Sequence, residues 1–159
     1  MIPQPEKYII SLETSAKHLQ TADHLAYITF PLIKENKLLL KILEELNFSL
    51  LNAINAILQY EYTYKRISIY QNARDNLETF KRLAPRYSLN PSQLAKLLDI
   101  LNIEEKHKKS PFEFTKSDKI VIMSENNQTD SLGLERVKDW ILELKDLLRK
   151  ANMAIRKTI

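Results

Sequence analysis

The chain has no cysteine and a single glycine, Gly133, in 159 residues. The first absence removes disulfides, thiolate zinc sites, iron–sulfur clusters and a cysteine nucleophile together, and it suits a reducing compartment. The second removes the glycine-rich phosphate loops, the dinucleotide fingerprint and the nucleophile elbow, whose tight turns depend on several glycines. Long apolar runs are missing as well. The longest uncharged stretch is the fifteen residues from Leu46 to Tyr60, broken by Asn47, Asn52, Asn55 and Gln59, whereas roughly 20 mostly apolar residues are needed to span a bilayer. It reads as a buried helix, and no membrane partner is expected. The opening segment, Met1-Ile2-Pro3-Gln4-Pro5-Glu6-Lys7, lacks the charged start and apolar run of a secretory signal, so the expected location is the cytoplasm.

Enough apolar material remains, 44% of residues against 28% charged, for one core in one domain over residues 1–159. Its spacing is helical nearly throughout. Ile9, Leu12, Ala16, Leu19 and Ala26 recur in threes and fours, which predicts a first helix from about Tyr8 to Thr29. Pro31 is expected to end it, because proline lacks the donor that an interior position supplies, and to open a second helix reaching about Ser68. That helix carries a wide apolar face of Leu39, Ile42, Leu43, Leu46, Leu50, Ala53, Ile54, Ile57 and Leu58 and is expected to lie at the centre of a bundle. A third helix spans about Ala73 to Ala84, with Leu77, Phe80 and Leu83 on one side, and stops at Pro85. A fourth opens on Asn90, Pro91 and Gln93, a cap, a first-turn proline and a capping-box glutamine, and runs to about Lys106.

Phe112–Thr115 and Ile120–Met123, around the polar turn 116–119, read as two short strands. A lone hairpin is marginal in water, so this one must lie on the bundle or pair with another chain. Residues 124–130 read as a loop, with Asp130 or Ser131 capping a last helix. There Leu134, Val137, Ile141, Leu144, Leu148, Ala151 and Ile155 form a seam suited to a bundle interior or to dimerisation. The expected fold is all-α: an antiparallel bundle of about five helices with a short β-hairpin between the fourth and fifth.

The net charge of +4 is unevenly placed. Between Tyr62 and Tyr87 stand six basic residues, Lys65, Arg66, Arg74, Lys81, Arg82 and Arg86, against Asp75 and Glu78, and the rest of the chain balances to zero. Tyr60, Tyr62, Tyr64, Tyr70 and Tyr87 are interleaved with them. Arginine pairs bidentately with phosphate and aromatic rings stack on unpaired bases, so this mixture suits single-stranded RNA. If the second, third and fourth helices run up, down and up, Lys65, Arg66, Tyr70 and Arg74 share one end with His107, Lys108 and Lys109. A second basic cluster, Lys81, Arg82 and Arg86, then lies at the other end, about 20 Å away.

Chemistry finds little purchase in the remaining polar residues. Glu104 and His107 have the Glu-x-x-His spacing of di-iron bundles but lack the second motif such a site needs, so no metal and no cofactor are expected. His18 and His24 point to different sides of the first helix. Asp23 continues that helix's apolar stripe and is expected to pair with a lysine, for instance one of the second helix, with a functional role for Asp23 and His24 left open. Asn52, Asn55 and Gln59 form a polar strip on the second helix, facing either a cavity or the wet side of the bundle.

The all-helical layout resembles the HEPN nucleases, small bundles that cleave RNA with an arginine followed four to six residues later by a histidine; no arginine stands at that spacing before His18, His24 or His107. The runs Tyr60-Glu61-Tyr62-Thr63-Tyr64-Lys65-Arg66, His107-Lys108-Lys109-Ser110-Pro111-Phe112-Glu113-Phe114 and Asp118-Lys119-Ile120-Val121-Ile122-Met123 resemble small helical proteins of archaeal type, a likeness that implies a shared fold and no particular site. Three functions follow as expectations. The first is a non-enzymatic protein holding RNA or another phosphate-bearing partner on the basic, tyrosine-rich surface. The second is an interaction protein forming a homodimer through the last helix or the hairpin. The third is a divergent HEPN-like RNase.

Overall fold

A computed structural model describes residues 5–156; residues 1–4, the greater part of the opening segment read above, and residues 157–159 lie outside it. Helix α1 (Pro5–His24) continues through a π-helical turn, Leu25–Thr29, into the short α2 (Phe30–Ile33). Pro31 therefore does not end the first helix. In the π turn the Phe30 N–H reaches back five residues to the Leu25 carbonyl, and this wider loop accommodates a residue that has no donor of its own. The chain breaks instead at Lys34, whose φ of 56° is left-handed, and the second long helix, α3, runs Lys37–Thr63 rather than from Pro31 to Ser68.

Helix α4 (Ala73–Leu83) passes into a 3₁₀ turn, Ala84–Tyr87, which holds Pro85 near its start. Helix α5 (Pro91–Lys109) starts where the sequence places it, with Asn90 Oδ1 accepting from the Gln93 N–H at 2.8 Å. The Gln93 side chain does not close a capping box: its Oε1, the atom that would accept from the Asn90 N–H, accepts from Lys150 Nζ at 3.2 Å, and its Nε2 donates to Asp146. Strands β1 (Phe112–Lys116) and β2 (Lys119–Met123) form the expected hairpin, and β3 (Thr129–Leu132) adds a third antiparallel strand in the order β1-β2-β3. Asp130 and Ser131 thus sit in a strand and not in a helix cap; α6 (Leu134–Arg156) starts after Gly133, whose carbonyl accepts from the Val137 N–H. A Cβ at Gly133 would stand 3.1 Å from Lys119 Cγ, so this position is close-packed.

The long helices pack antiparallel in sequence order. Tyr8 meets Tyr60, Ser15 meets Ser49 and His18 meets Glu45, which runs α1 against α3. Gln93 meets Asp146 and Asp99 meets Arg136, which runs α5 against α6. Every apolar residue assigned to the face of the central helix, from Leu39 to Leu58, is buried. Val137, Ile141, Leu144, Leu148, Ala151 and Ile155 are buried too, so the α6 seam lies inside the chain's own core. Among the described residues no helix is long and apolar enough to cross a membrane.

One feature of the expected topology fails. Tyr87, just before α5, bonds to Glu61 near the end of α3, whereas Asn36, at the start of α3, donates to the Ser117 carbonyl in the hairpin that follows α5. Helix α5 is therefore antiparallel to α3, not parallel to it. With 11 residues, α4 is only about 16 Å long and stays at the end of the bundle where α3 finishes.

A candidate anion-binding cleft

This reversal regroups the basic residues. Lys65, Arg66 and Tyr70 join Arg82 around one cleft of about 440 Å³, completed by Ile67, Ser68, Thr79 and Leu83. Among the described residues no acidic side chain lines it. Arg86 stands beside it through Glu61, which it approaches at 3.7 Å. Lys65, Arg66 and Tyr70 of the first expected cluster thus join Arg82 and Arg86 of the second, whereas Lys81 is paired with Glu78 at 2.9 Å, Arg74 is exposed on the first turn of α4, and His107, Lys108 and Lys109 stand apart.

The cleft is built on the way α3 stops. The Arg66 N–H bonds to the Glu61 carbonyl at 3.0 Å and the Lys65 N–H to the Tyr62 carbonyl at 2.9 Å, the paired bonds of a Schellman motif. Its left-handed position, where glycine is usual, is taken by Lys65 at φ 60°. The turn aims Arg66 back over the helix. Its guanidinium lies 5.3 Å from the Tyr60 ring centre and 5.2 Å from that of Tyr64, and its Nε donates to the buried Glu61 carboxylate. That hydrogen bond raises the Arg66 pKa above its ordinary value. Glu61 also accepts from the Tyr87 hydroxyl at 2.9 Å. Arg66 is consequently neutralised within the fold.

Lys65 and Arg82 differ from it. Among the described residues neither meets a carboxylate; the Arg82 guanidinium donates to Thr79 Oγ1 at 3.2 Å. Tyr70 is fixed by Asn76, whose side chain accepts from the Tyr70 N–H and donates to the Tyr70 carbonyl, both at 2.8 Å. Sequence reasoning missed Asn76 and Thr79. The local signal was the reciprocal cap of α4, where Asn72 Oδ1 accepts from the Asp75 N–H and Asn72 Nδ2 donates to the Asp75 carboxylate, since it fixes which residues of the next turn face the loop.

His107, Lys108 and Lys109 lie at the other end. His107 Nδ1 is 2.6 Å from Glu113, Lys106 is 2.8 Å from Asp130 and Lys109 is 2.7 Å from Glu105. Lys106 and Lys109 border a mixed-charge cleft of about 610 Å³ that includes Glu105 and Glu125. Exposed Lys108 has no carboxylate partner among the described residues.

The other polar candidates are engaged in packing. Asp23 is half-buried and takes Lys145 of α6 at 3.1 Å, not a lysine of α3, while His24 is exposed. His18 lies 2.6 Å from Glu45. Burial alone would push the Glu45 carboxyl up, but hydrogen bonds from His18 and Lys41 prevail and hold it below its ordinary value. Asn55 donates to Ser11 Oγ and so ties α3 to α1, while Asn52 donates to the Phe48 carbonyl of its own helix. Glu104 is buried with one carboxylate oxygen unpartnered, and His107 is turned to Glu113. Among the described residues no group of three or more His, Asp or Glu side chains is arranged to hold a metal.

Set against known proteins, the chain matches no family model, no curated protein and no solved structure.

Proposed function

We propose that the protein is a non-enzymatic binding protein that takes a phosphate of single-stranded RNA into the cleft at the end of α3. The observation that carries this reading is the charge of the lining: Lys65 and Arg82, neither facing a carboxylate among the described residues, open onto a space that none of the described acidic side chains lines. Ser68 brings a hydroxyl to the same walls, and hydroxyl, ammonium and guanidinium donors together suit phosphate oxygens. Tyr62, Tyr64 and Tyr70 are each more than two-fifths exposed, leaving ring surface on which unpaired bases can stack. Among the described residues no histidine or carboxylate lines the cleft, which favours binding over acid–base chemistry.

The test is the anisotropy of a labelled single-stranded RNA oligomer titrated with the protein at low and at moderate salt. Binding that weakens with salt is expected, and a Lys65→Ala/Arg82→Ala double variant should lose about tenfold or more in affinity with a shallower salt slope. No binding at low salt, affinity indifferent to salt, or a double variant equal to the parent would overturn the reading.

A further inference from the structure

The three-stranded sheet has two edges, and the structure treats them differently. The hairpin turn Ser117-Asp118 makes Lys116 and Lys119 a hydrogen-bonded pair, and the register then alternates along the strands, so Phe114 and Phe112 also bond to β2 while Glu113 and Thr115 turn their backbone groups outward. On β3 the same alternation turns Ser131 outward, and its carbonyl is already taken by Arg136 Nη1 at 2.9 Å. The chain's own arginine thus occupies part of the β3 edge. The β1 edge is open, and it carries Phe112 and Phe114, 56% and 37% exposed, with ring centres 5.7 Å apart on the outer face.

We propose that a second copy of the chain pairs along this edge, β1 against β1 in antiparallel fashion about a two-fold axis at Phe114. The sequence selects that register. Centred on Phe114, Glu113 lies opposite Thr115 of the other copy in both directions, and the outward N–H and C=O groups of these residues make four hydrogen bonds. Phe114 faces its own symmetry mate at a non-hydrogen-bonded position, where side chains come closest, and the Lys116 ammonium reaches the ring of the opposite Phe112. A register centred on Glu113 would set two carboxylates face to face and would call on Pro111, which has no N–H. One centred on Thr115 would call on Ser117, whose φ of 57° takes it out of the strand. The pairing joins two three-stranded sheets into one of six strands and covers the exposed phenylalanines. It makes no use of the cleft at the far end of α3.

Because the chain has no native cysteine, single cysteines report the register directly. Opposed residues at a non-hydrogen-bonded pair have Cα atoms about 4.5 Å apart, within disulfide reach. With an added mild oxidant, Phe114→Cys should give a covalent dimer in high yield, whereas Glu113→Cys and Thr115→Cys, each facing a non-cysteine residue, should not. In the absence of oxidant, sedimentation should show the parent chain as a dimer. Thr115→Pro, which removes an outward N–H that the monomer does not use, should make it monomeric with an unchanged circular dichroism spectrum. A parent chain that stays monomeric at high concentration, equal cross-linking at all three positions, or a dimer that survives Thr115→Pro would overturn the proposal.

Discussion

The Tyr87 hydroxyl donates to Glu61 Oε1 at 2.9 Å, tying the end of α3 to the turn that launches α5 across 26 residues of chain. Burial, followed by the charge and hydrogen bond of Glu61, pushes the phenol pKa well above its ordinary value. Tyr87→Phe should lower stability by about 1.5–3 kcal/mol, the range for a hydrogen bond to a charged group, read as a shifted urea midpoint at unchanged slope. The sign at alkaline pH follows from linkage. A raised folded-state pKa contributes stability that is complete below the unfolded value of about 10 and is lost as pH climbs through the folded one. The parent should therefore lose stability above that pH, and the Tyr87→Phe variant should lack this component of the loss.

Lys65 holds a backbone conformation better suited to glycine while placing its side chain in the cleft. Fold and function can therefore be separated at one residue. Lys65→Gly should raise stability by about 1 kcal/mol, since it relieves the left-handed strain of an L-residue at a helix C′ position. The same change should weaken RNA binding. Lys65→Ala keeps the strain and should weaken binding without the stability gain. Denaturation and RNA titration of both variants check this, and a Lys65→Gly protein that binds as the parent does would remove the lysine side chain from the site.

What the sequence disclosed follows from which interactions are local. The faces of α3 and α6 were legible because burial of a long helix repeats every turn, and Asn90-Pro91 marked the start of α5 because caps act within four residues. Pro31 misled because a π turn depends on a backbone register that composition does not show. Strand β3 was hidden in Thr129-Asp130-Ser131-Leu132, where only Leu132 is apolar and buried and where pairing with β2 supplies the order. The grouping of Arg82 with Lys65 was lost for a third reason. Leu77, Phe80 and Leu83 give the period of α4 but do not say whether so short a helix crosses the bundle. The turns at Lys65 and Ser88 are left-handed without glycine, so the scarcity of glycine did not mean a scarcity of such turns.

Two carboxyls give stability opposite pH dependences in acid. Burial pushes Glu104 above its ordinary value, so its contribution is complete below the unfolded value of about 4.3 and is lost as pH rises through the folded one. Hydrogen bonds from Lys150, Gln93 and Arg149 hold Asp146 far below its ordinary value, so its contribution is present above about 3.9 and is lost as pH falls. Urea midpoints across the acid range should show Glu104→Gln removing part of the decline on the rising side, making that variant the more stable one at neutral pH. Asp146→Asn should be less stable than the parent at neutral pH and should flatten the acid limb.

Ser15 and Ser49 join α1 to α3. Each hydroxyl donates to the other residue's carbonyl, at 2.6 and 2.9 Å, and both residues are fully buried. Two roles are combined here, a pair of hydrogen bonds and a small volume that lets the helices meet. The hydrogen-bond role is modest, because each carbonyl lies within a helix that already supplies a donor, and either serine replaced singly by alanine leaves the other hydroxyl its own acceptor. Such a variant should lose about 0.5–1.5 kcal/mol. The volume role is the larger one, since added methyl groups have no space without moving a helix, and overpacking of this kind costs about 1–3 kcal/mol or more. Ser49→Val should therefore be less stable than Ser49→Ala, and Ser15→Val less stable than Ser15→Ala, when urea midpoints are compared. The reverse order at both positions would mean that the hydroxyls, and not the spacing, hold α1 against α3.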